Sequence, residues 1–475
     1  MEFPGRLTVP RVRKCACSWQ DANVFRSAHI IPNACPVKTN RASVGRDFAI
    51  LFMVMLITGA GNTALQSVLP AIGRSIHVPD SVIATVFSVS ALVWVFAAPY
   101  WARRSDRQGR RAMVILGISG FTFSITLVGL ILLAGLLGWI SPIVTMVLVI
   151  TARVIYGLFG SAAPPAAQAI VALGTNRDER VKALTMLGSA FGLGTILGPA
   201  IAPYLVLPVV GLAGPAMVFA VFGLVTALAA ARFLPADSVE SDAGSAHGAN
   251  VSYPSLGGAP TGASITGATA ERVNAQLKLR DPRIWPWMLA GLIMGHAQAM
   301  TGAAMGFLVI DRLHLPVSEL ATQQAIGLVL MSGAGAALLV QWGLIPLFNF
   351  HPRTMMIIGL ALAALGLSGT SSATSLYGIA TGYSLSSMGF GFTRPAFTAG
   401  SSLAVGRRLQ GLVAGHVTAI NGASFVLGPT IGVGLYELSR PLPFFIAAGV
   451  MLMMIPYALT RLNLLGHEEL PSPER

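Results

Sequence analysis

Residues 74–85 read RSIHVPDSVIAT, and residues 311–322 read DRLHLPVSELAT, nearly the same loop 237 positions further on. What precedes and follows each copy explains the repetition. A bilayer core about 30 Å thick is crossed by about 20 apolar residues of helix at about 1.5 Å each. The chain holds twelve apolar runs of that length with at most one charge each, near 48–73, 81–102, 112–138, 142–173, 183–207, 211–234, 284–310, 321–348, 354–373, 376–403, 409–436 and 441–463. Each quoted loop follows the first run of a set of six. The register holds elsewhere: Gly198-Pro199 recurs as Gly428-Pro429, and Pro165-Ala166 as Pro395-Ala396, both 230 residues on. One six-helix unit is therefore written twice. An even number of spans gives both copies the same orientation, so the predicted halves are related by an axis along the membrane normal.

Composition agrees, since 54% hydrophobic and 10% charged residues leave too few charges to coat a soluble surface. The fold class expected is an all-α integral membrane protein with 12 transmembrane helices in two six-helix bundles. The net charge of +13 raises nucleic acid as a partner, and the placement of the basic residues argues against it. Of the 31 Lys and Arg residues, 26 fall on the side that holds the N-terminus. Only Arg74, Arg312 and Arg440 fall on the other, and Arg153 and Arg394 lie inside spans. The positive-inside rule then puts both termini in the cytoplasm and the basic rim against anionic membrane lipids. The predicted organisation is a cytoplasmic tail at 1–46, a bundle at 47–234, a cytoplasmic linker at 235–283 rich in Ser, Gly and Ala, a second bundle at 284–463 and a tail at 464–475. Residues 1–46 lack an apolar stretch of signal-peptide length and read as a disordered cytoplasmic extension or an over-long start. Cys15, Cys17 and Cys35 have no His pair at ligand spacing and read as free thiols rather than a metal site.

The strings H-E-x-x-H, G-x-S-x-G and G-x-x-x-x-G-K-[ST] are absent, which argues against an intramembrane enzyme and against an ATP-driven pump in one chain. Secondary transport fits a duplicated bundle. After the second run comes Ala102-Arg-Arg-Ser-Asp106-Arg107-Gln-Gly109-Arg110-Arg111. It resembles the G-x-L-x-D-R-x-G-R-R signature of the major facilitator superfamily, departing at Ala102 and Arg104. Gly109 permits a tight turn, and Asp106 can face a helix N-terminus. The resemblance implies that this helix is the eleventh, beginning near Gln410. Leu69-Pro70-Ala71-Ile72 looks like the family's first-helix signature. Arg153-Val-Ile-Tyr156-Gly157 resembles its fourth-helix pattern, with Tyr156 in place of Gln. Gly194-Thr-Ile-Leu-Gly198-Pro199-Ala-Ile-Ala202-Pro203 resembles a fifth-helix signature of proton-coupled exporters, with Ala202 and Pro203 replacing its last glycines. The chain is thus similar to the twelve-helix drug:proton antiporter branch. That resemblance implies alternating access, a cavity walled mainly by helices 1, 4, 7 and 10, a small-molecule substrate, protons as coupling ion and a monomer without cofactor. A symporter or facilitator importing a metabolite is the alternative, and a non-transporting membrane receptor is an alternative of another class.

Charges inside a bilayer cost about 2.5–3.5 kcal/mol on insertion scales, so each one is a functional candidate. No acidic residue falls at mid-span. His296 and His416, as the histidines inside spans, and Asp311 and Glu437 at the outer mouth are the candidates for carrying a proton. Asn62 and Gln66 share one face of the first helix, and with Gln168 and Gln298 are candidates for a polar path. Arg153 and Arg394 carry permanent charge inside spans four and ten, so the expected substrate is amphipathic or anionic. Gly194, Gly198, Pro199, Gly428 and Pro429 are the candidates for helix sliding or bending, and Asp106, Arg107, Gly109, Arg110 and Arg111 for the conformational turn.

Overall fold

The computed structural model describes residues 41–175, 177–235, 277–317, 319–348, 350–405 and 409–462. The three cysteines, residues 236–276 of the linker and the end of the chain from 463 lie outside that set. Among the described residues the chain forms twelve long helices. They are α1 (Arg41–Ser75), α2 (Asp80–Gln108), α3 (Arg110–Leu136), α4 (142–174), α5 (Arg177–Ile201), α6 (Gly214–Phe233), α7 (Trp285–Leu313), α8 (Leu320–Phe348), α9 (Pro352–Ser372), α10 (Leu376–Leu403), α11 (Gln410–Leu438) and α12 (Leu442–Arg461). Eleven are long and apolar enough to cross a membrane. The other, α10, is 28 residues long but spends much of its length on Gly, Ser, Thr, Tyr and Arg394, and it packs against α7, α8 and α9. The described residues from Ala42 onward form one compact unit. Large apolar side chains such as Phe96, Met453 and Ile143 remain exposed, as they do where lipid is the solvent.

Local chemistry sets the ends. Pro142, Pro215, Pro286, Pro352 and Pro443 stand in the first turn of α4, α6, α7, α9 and α12, where the missing N–H costs nothing. Ser141 and Ser375 accept from the third residue on and cap α4 and α10. Just before α7, Arg283 bonds both carboxylate oxygens of Asp281 at 3.0 and 2.8 Å and holds that carboxyl down at about 2, leaving an anion at the helix N-terminus. The first helix begins at Arg41, inside the segment expected to be a tail. The added turn carries Arg46, whose guanidinium donates to the Phe233 carbonyl at 3.1 Å and so ties it to the end of α6.

The written repeat is also a structural one. His77 and His314, at the same place in the two copies, both adopt left-handed backbone, with φ of 60° and 50°. A non-glycine residue seldom does so, and here the same turn has been built twice. Arg111, second in α3, donates to the Ala231 carbonyl near the end of α6, and Arg353, second in α9, donates to the Leu459 carbonyl near the end of α12. Each half therefore closes its last helix with an arginine on otherwise unbonded carbonyls. The end of the bundle holding these arginines and residues 277–283 is called the linker end, and the end holding His77 and His314 the hairpin end.

Candidate functional site

The two halves meet along α1 and α7, flanked by α2 against α11 and α5 against α8. Small residues make the approach possible. A Cβ on Gly306 would lie 2.8 Å from Pro70, joining α7 to α1, and one on Gly327 would lie 2.6 Å from the Pro199 carbonyl, joining α8 to α5. Within each half the Gly-Pro motif plays one role. Gly194 and Gly198 of α5 lie against the backbone of α1 at Leu56, Ala60 and Ala64, and Gly428 and Gly432 of α11 lie against α7 at Ala299 and Met300. Pro199 and Pro429, inside their helices, leave a backbone bond unmade beside these contacts.

Between the halves is a cavity whose wall includes Gln66, Phe87, Gln298, Phe307, Phe425 and Pro429. Gln66 stands about 14 Å from the hairpin end of α1 at 1.5 Å per residue. The wall comes from α1, α2, α7 and α11, whereas the sequence reading placed it mainly on helices 1, 4, 7 and 10. At the hairpin end a polar network joins α1 and α7 to α2 and α11. Arg74 at the end of α1 forms a fork with Asp311 of α7, Nη1–Oδ1 at 2.5 Å and Nη2–Oδ2 at 3.0 Å. It forms a second fork with Asp80 of α2 at 3.2 and 2.7 Å. The Tyr436 hydroxyl donates to Asp311 at 2.6 Å, Arg440 Nε lies 3.3 Å from the same carboxylate, and Phe307 lies under the Arg74 guanidinium at 5.4 Å. From α11, Glu437 accepts from the Ser81 N–H at 2.9 Å at the first turn of α2, and Thr430 donates to Ser88 at 2.8 Å. Paired, charge-assisted bonds of this kind are the stronger class. Asp311 and Glu437 thus join the two halves, and the cavity lies directly beneath them.

The candidate arginines form a layer behind the cavity. Arg153 is fully buried, donates to Asn62 of α1 at 2.5 Å, and rests against Phe87 and Tyr156, 5.5 and 4.5 Å from the ring centroids. Directly after it, α4 widens into a π-turn over Tyr156–Gly160. Gly157 fits there because a Cβ would lie 2.6 Å from the Ser90 carbonyl of α2, and the Ser90 hydroxyl donates back to the Arg153 carbonyl at 2.7 Å. Such one-turn bulges concentrate at functional positions. Arg394 of α10 is 4% exposed. Its Nε donates to Gln298 at 2.9 Å, its guanidinium stands 5.6 Å from the Phe425 ring, and Nη1 and Nη2 are buried without a hydrogen-bond partner.

The remaining candidates are dispersed. Gln168 is buried in the second half of α4 and outside the cavity wall. His296 turns back on its own helix, Nδ1 lying 2.8 Å from the Leu292 carbonyl, and His416 reaches the Leu277 carbonyl at 2.9 Å near the linker end. Gly109 has φ of 92° and separates α2 from α3, as its tight-turn reading requires, and Arg110 and Arg111 open α3. The Asp106 and Arg107 side chains lie outside the described residues. Sequence reasoning passed over Arg74, Asp80, Tyr436 and the ring lining of Phe87, Phe307 and Phe425. The signal for Arg74 was present, because aligning the two loops sets Arg74 opposite Asp311.

The sequence profile of the Major Facilitator Superfamily matches residues 51–399. The class D tetracycline resistance protein of Salmonella ordonez is 31% identical over 156 residues, 32% of this chain and 36% of the relative. Multidrug resistance protein 2 of Bacillus subtilis (strain 168) is 28% identical over 152 residues, 32% of this chain and 35% of the relative. These matches span about a third of each relative's length. Among solved structures, the human organic anion transporter MFSD10 superposes with a TM-score of 0.59 at 18% identity, over 87% of this chain and 99% of that one. A bacterial homolog of the human lysosomal transporter Spinster does so with a TM-score of 0.59 at 12% identity, over 89% of this chain and 95% of its own.

Proposed function

We propose, on the premise that this chain belongs to the Major Facilitator Superfamily and is a transporter of small molecules rather than an enzyme, that it exports small amphipathic compounds against the proton gradient. The observation that carries the reading is the cavity between the two written halves, lying beneath bonds that tie one half to the other at the hairpin end. In alternating access these bonds break when the halves rock and the cavity opens to the hairpin side. The mostly apolar, ring-bearing wall with two amides suits an amphipathic compound. Export is favoured by the similarity to tetracycline and multidrug resistance proteins and by the Gly-Pro motif that lays α5 along α1. The groups assigned to the coupling proton are His296 on α7 and Asp311 and Glu437 in the network.

Purified protein in proteoliposomes with an imposed pH gradient tests this. Tetracycline flux is expected to rise at least tenfold with the gradient, and His296→Ala or Asp311→Asn to depress gradient-driven flux more than counterflow exchange. Flux indifferent to the gradient would leave a facilitator, and no flux across a broad panel would favour the receptor.

The same reading sets the chain in the cytoplasmic membrane with the linker end in the cytoplasm, following the excess of Lys and Arg there. With Cys15, Cys17 and Cys35 replaced, a cysteine at Val209 on the hairpin end should react with an impermeant maleimide in intact cells. One at Leu279 should react only after permeabilisation. The reverse pattern inverts the topology.

A further inference from the structure

From the surroundings of Arg394 we infer that the cavity contains an anion subsite and that its preferred ligands are aromatic carboxylates. This rests on the reading of the cavity as the transport site. Arg394 lies behind two residues of the cavity wall and touches both: Gln298 through the 2.9 Å bond from Nε, and Phe425 through its ring face at 5.6 Å. That single bond leaves the two terminal nitrogens, the part of a guanidinium that grips a carboxylate in a fork, buried and without a protein acceptor. No Asp or Glu is among the buried residues described, so the charge has no carboxylate partner at this depth. A buried cation in that state is costly, and a carboxylate supplied from outside relieves the cost with two parallel, charge-assisted bonds. The Gln298 amide accepts from Arg394 through Oε1, which fixes its Nε2 as a donor available to the same anion.

The rest of the wall selects the body of the ligand. Phe87, Phe307, Phe425, Leu69 and Ile83 present apolar surface against which an aromatic ring packs. Arg153 is a different environment, since Asn62 and two rings already surround its guanidinium.

The test is equilibrium binding to the purified full chain in nanodiscs, without a gradient, using 2-naphthoate, neutral 2-naphthamide and cationic 2-naphthylmethylammonium. Wild type is expected to bind naphthoate at least tenfold more tightly than naphthamide, with the ammonium compound weakest. Arg394→Gln should abolish that preference by weakening naphthoate alone, and Arg394→Lys, which keeps charge and loses the fork, should retain part of it. Thermal melting and gel filtration confirm that the variants fold. Equal affinity for naphthoate and naphthamide, no saturable naphthoate binding, or equal weakening of both ligands in folded Arg394→Gln would overturn the subsite. Because binding is read without a gradient, naphthoate preference in a protein that shows no gradient-driven export would sink the export reading alone. Export of neutral compounds without naphthoate preference would sink this one alone.

Discussion

Asp311→Ala is expected to cut gradient-driven transport at least tenfold and to leave the cavity open from the hairpin end. Arg74 would then keep Asp80 but lose the fork that holds α1 to α7, and Tyr436 and Arg440 would lose their common acceptor. Removing one partner of a buried pair costs about 3–5 kcal/mol, and the Arg74 and Asp311 side chains retain 22% and 12% exposure, so about 2 kcal/mol is the fitting order. That shifts a two-state equilibrium by roughly thirtyfold. A cysteine at Ala84, buried in the cavity wall, reports the change by becoming reactive from the hairpin side. Asp311→Arg should be worse, since Arg74, Arg440 and the new guanidinium would crowd one site. Adding Arg74→Asp should recover part of the activity, and only part, because Asp80 stays beside position 74. Unaltered flux and labelling in Asp311→Ala would remove the network from the transport cycle.

The second large effect is steric. Gly194→Val should reduce transport more than tenfold, because even the Cβ would stand 2.6 Å from the Leu56 carbonyl oxygen and 2.8 Å from the Ala60 nitrogen. Both are helix backbone and cannot rotate aside, so α5 must leave α1; overpacking of this kind costs about 1–3 kcal/mol, and more where backbone must move. Gly428→Val should do the same on the other side, where a Cβ meets the Ala299 Cβ at 2.5 Å. Gly434→Val is the control, on α11 too but with nothing within 4 Å of its added atom, and it should keep at least half of wild-type flux. Equal losses in all three variants would mean that glycine content, rather than the α1–α5 and α7–α11 contacts, is being read.

How far these features could be read in the sequence depended on how local their cause is. The spans were legible because apolar length is a property of contiguous residues, and the repeat because equivalent turns need equivalent residues. Arg153, Arg394 and the amides Asn62 and Gln298 stood out, since polar groups in a bilayer core need a reason to be there. Their pairing did not, because Arg153 meets Asn62 across 91 residues and Arg394 meets Gln298 across 96, and no local pattern encodes such a contact. Phe87 and Phe425 were invisible for the opposite reason: in a chain that is more than half hydrophobic, a ring facing a cavity looks like a ring facing lipid. The bonds that tie α1 to α7 and α2 to α11 were hidden because Arg74, Asp80 and Glu437 sit at helix ends, where charge is commonplace. Arg74 in particular had a sufficient explanation as one of the few basic residues on its side, and that explanation concealed its partner.

The pairing of Arg74 with Asp311 also bears on ancestry. The two residues occupy the same position in the two copies of the loop and bond to each other, so an axis relating the copies would pass near their bond. Two identical six-helix chains associating about that axis would set like against like there, arginine on arginine or aspartate on aspartate, and would repel. The bond could arise only after the two copies became free to mutate separately, in a fused gene or in a pair of diverged partners. What now holds the hairpin end together is therefore younger than the fold that it closes, and a symmetric forebear must have met along this seam by other contacts.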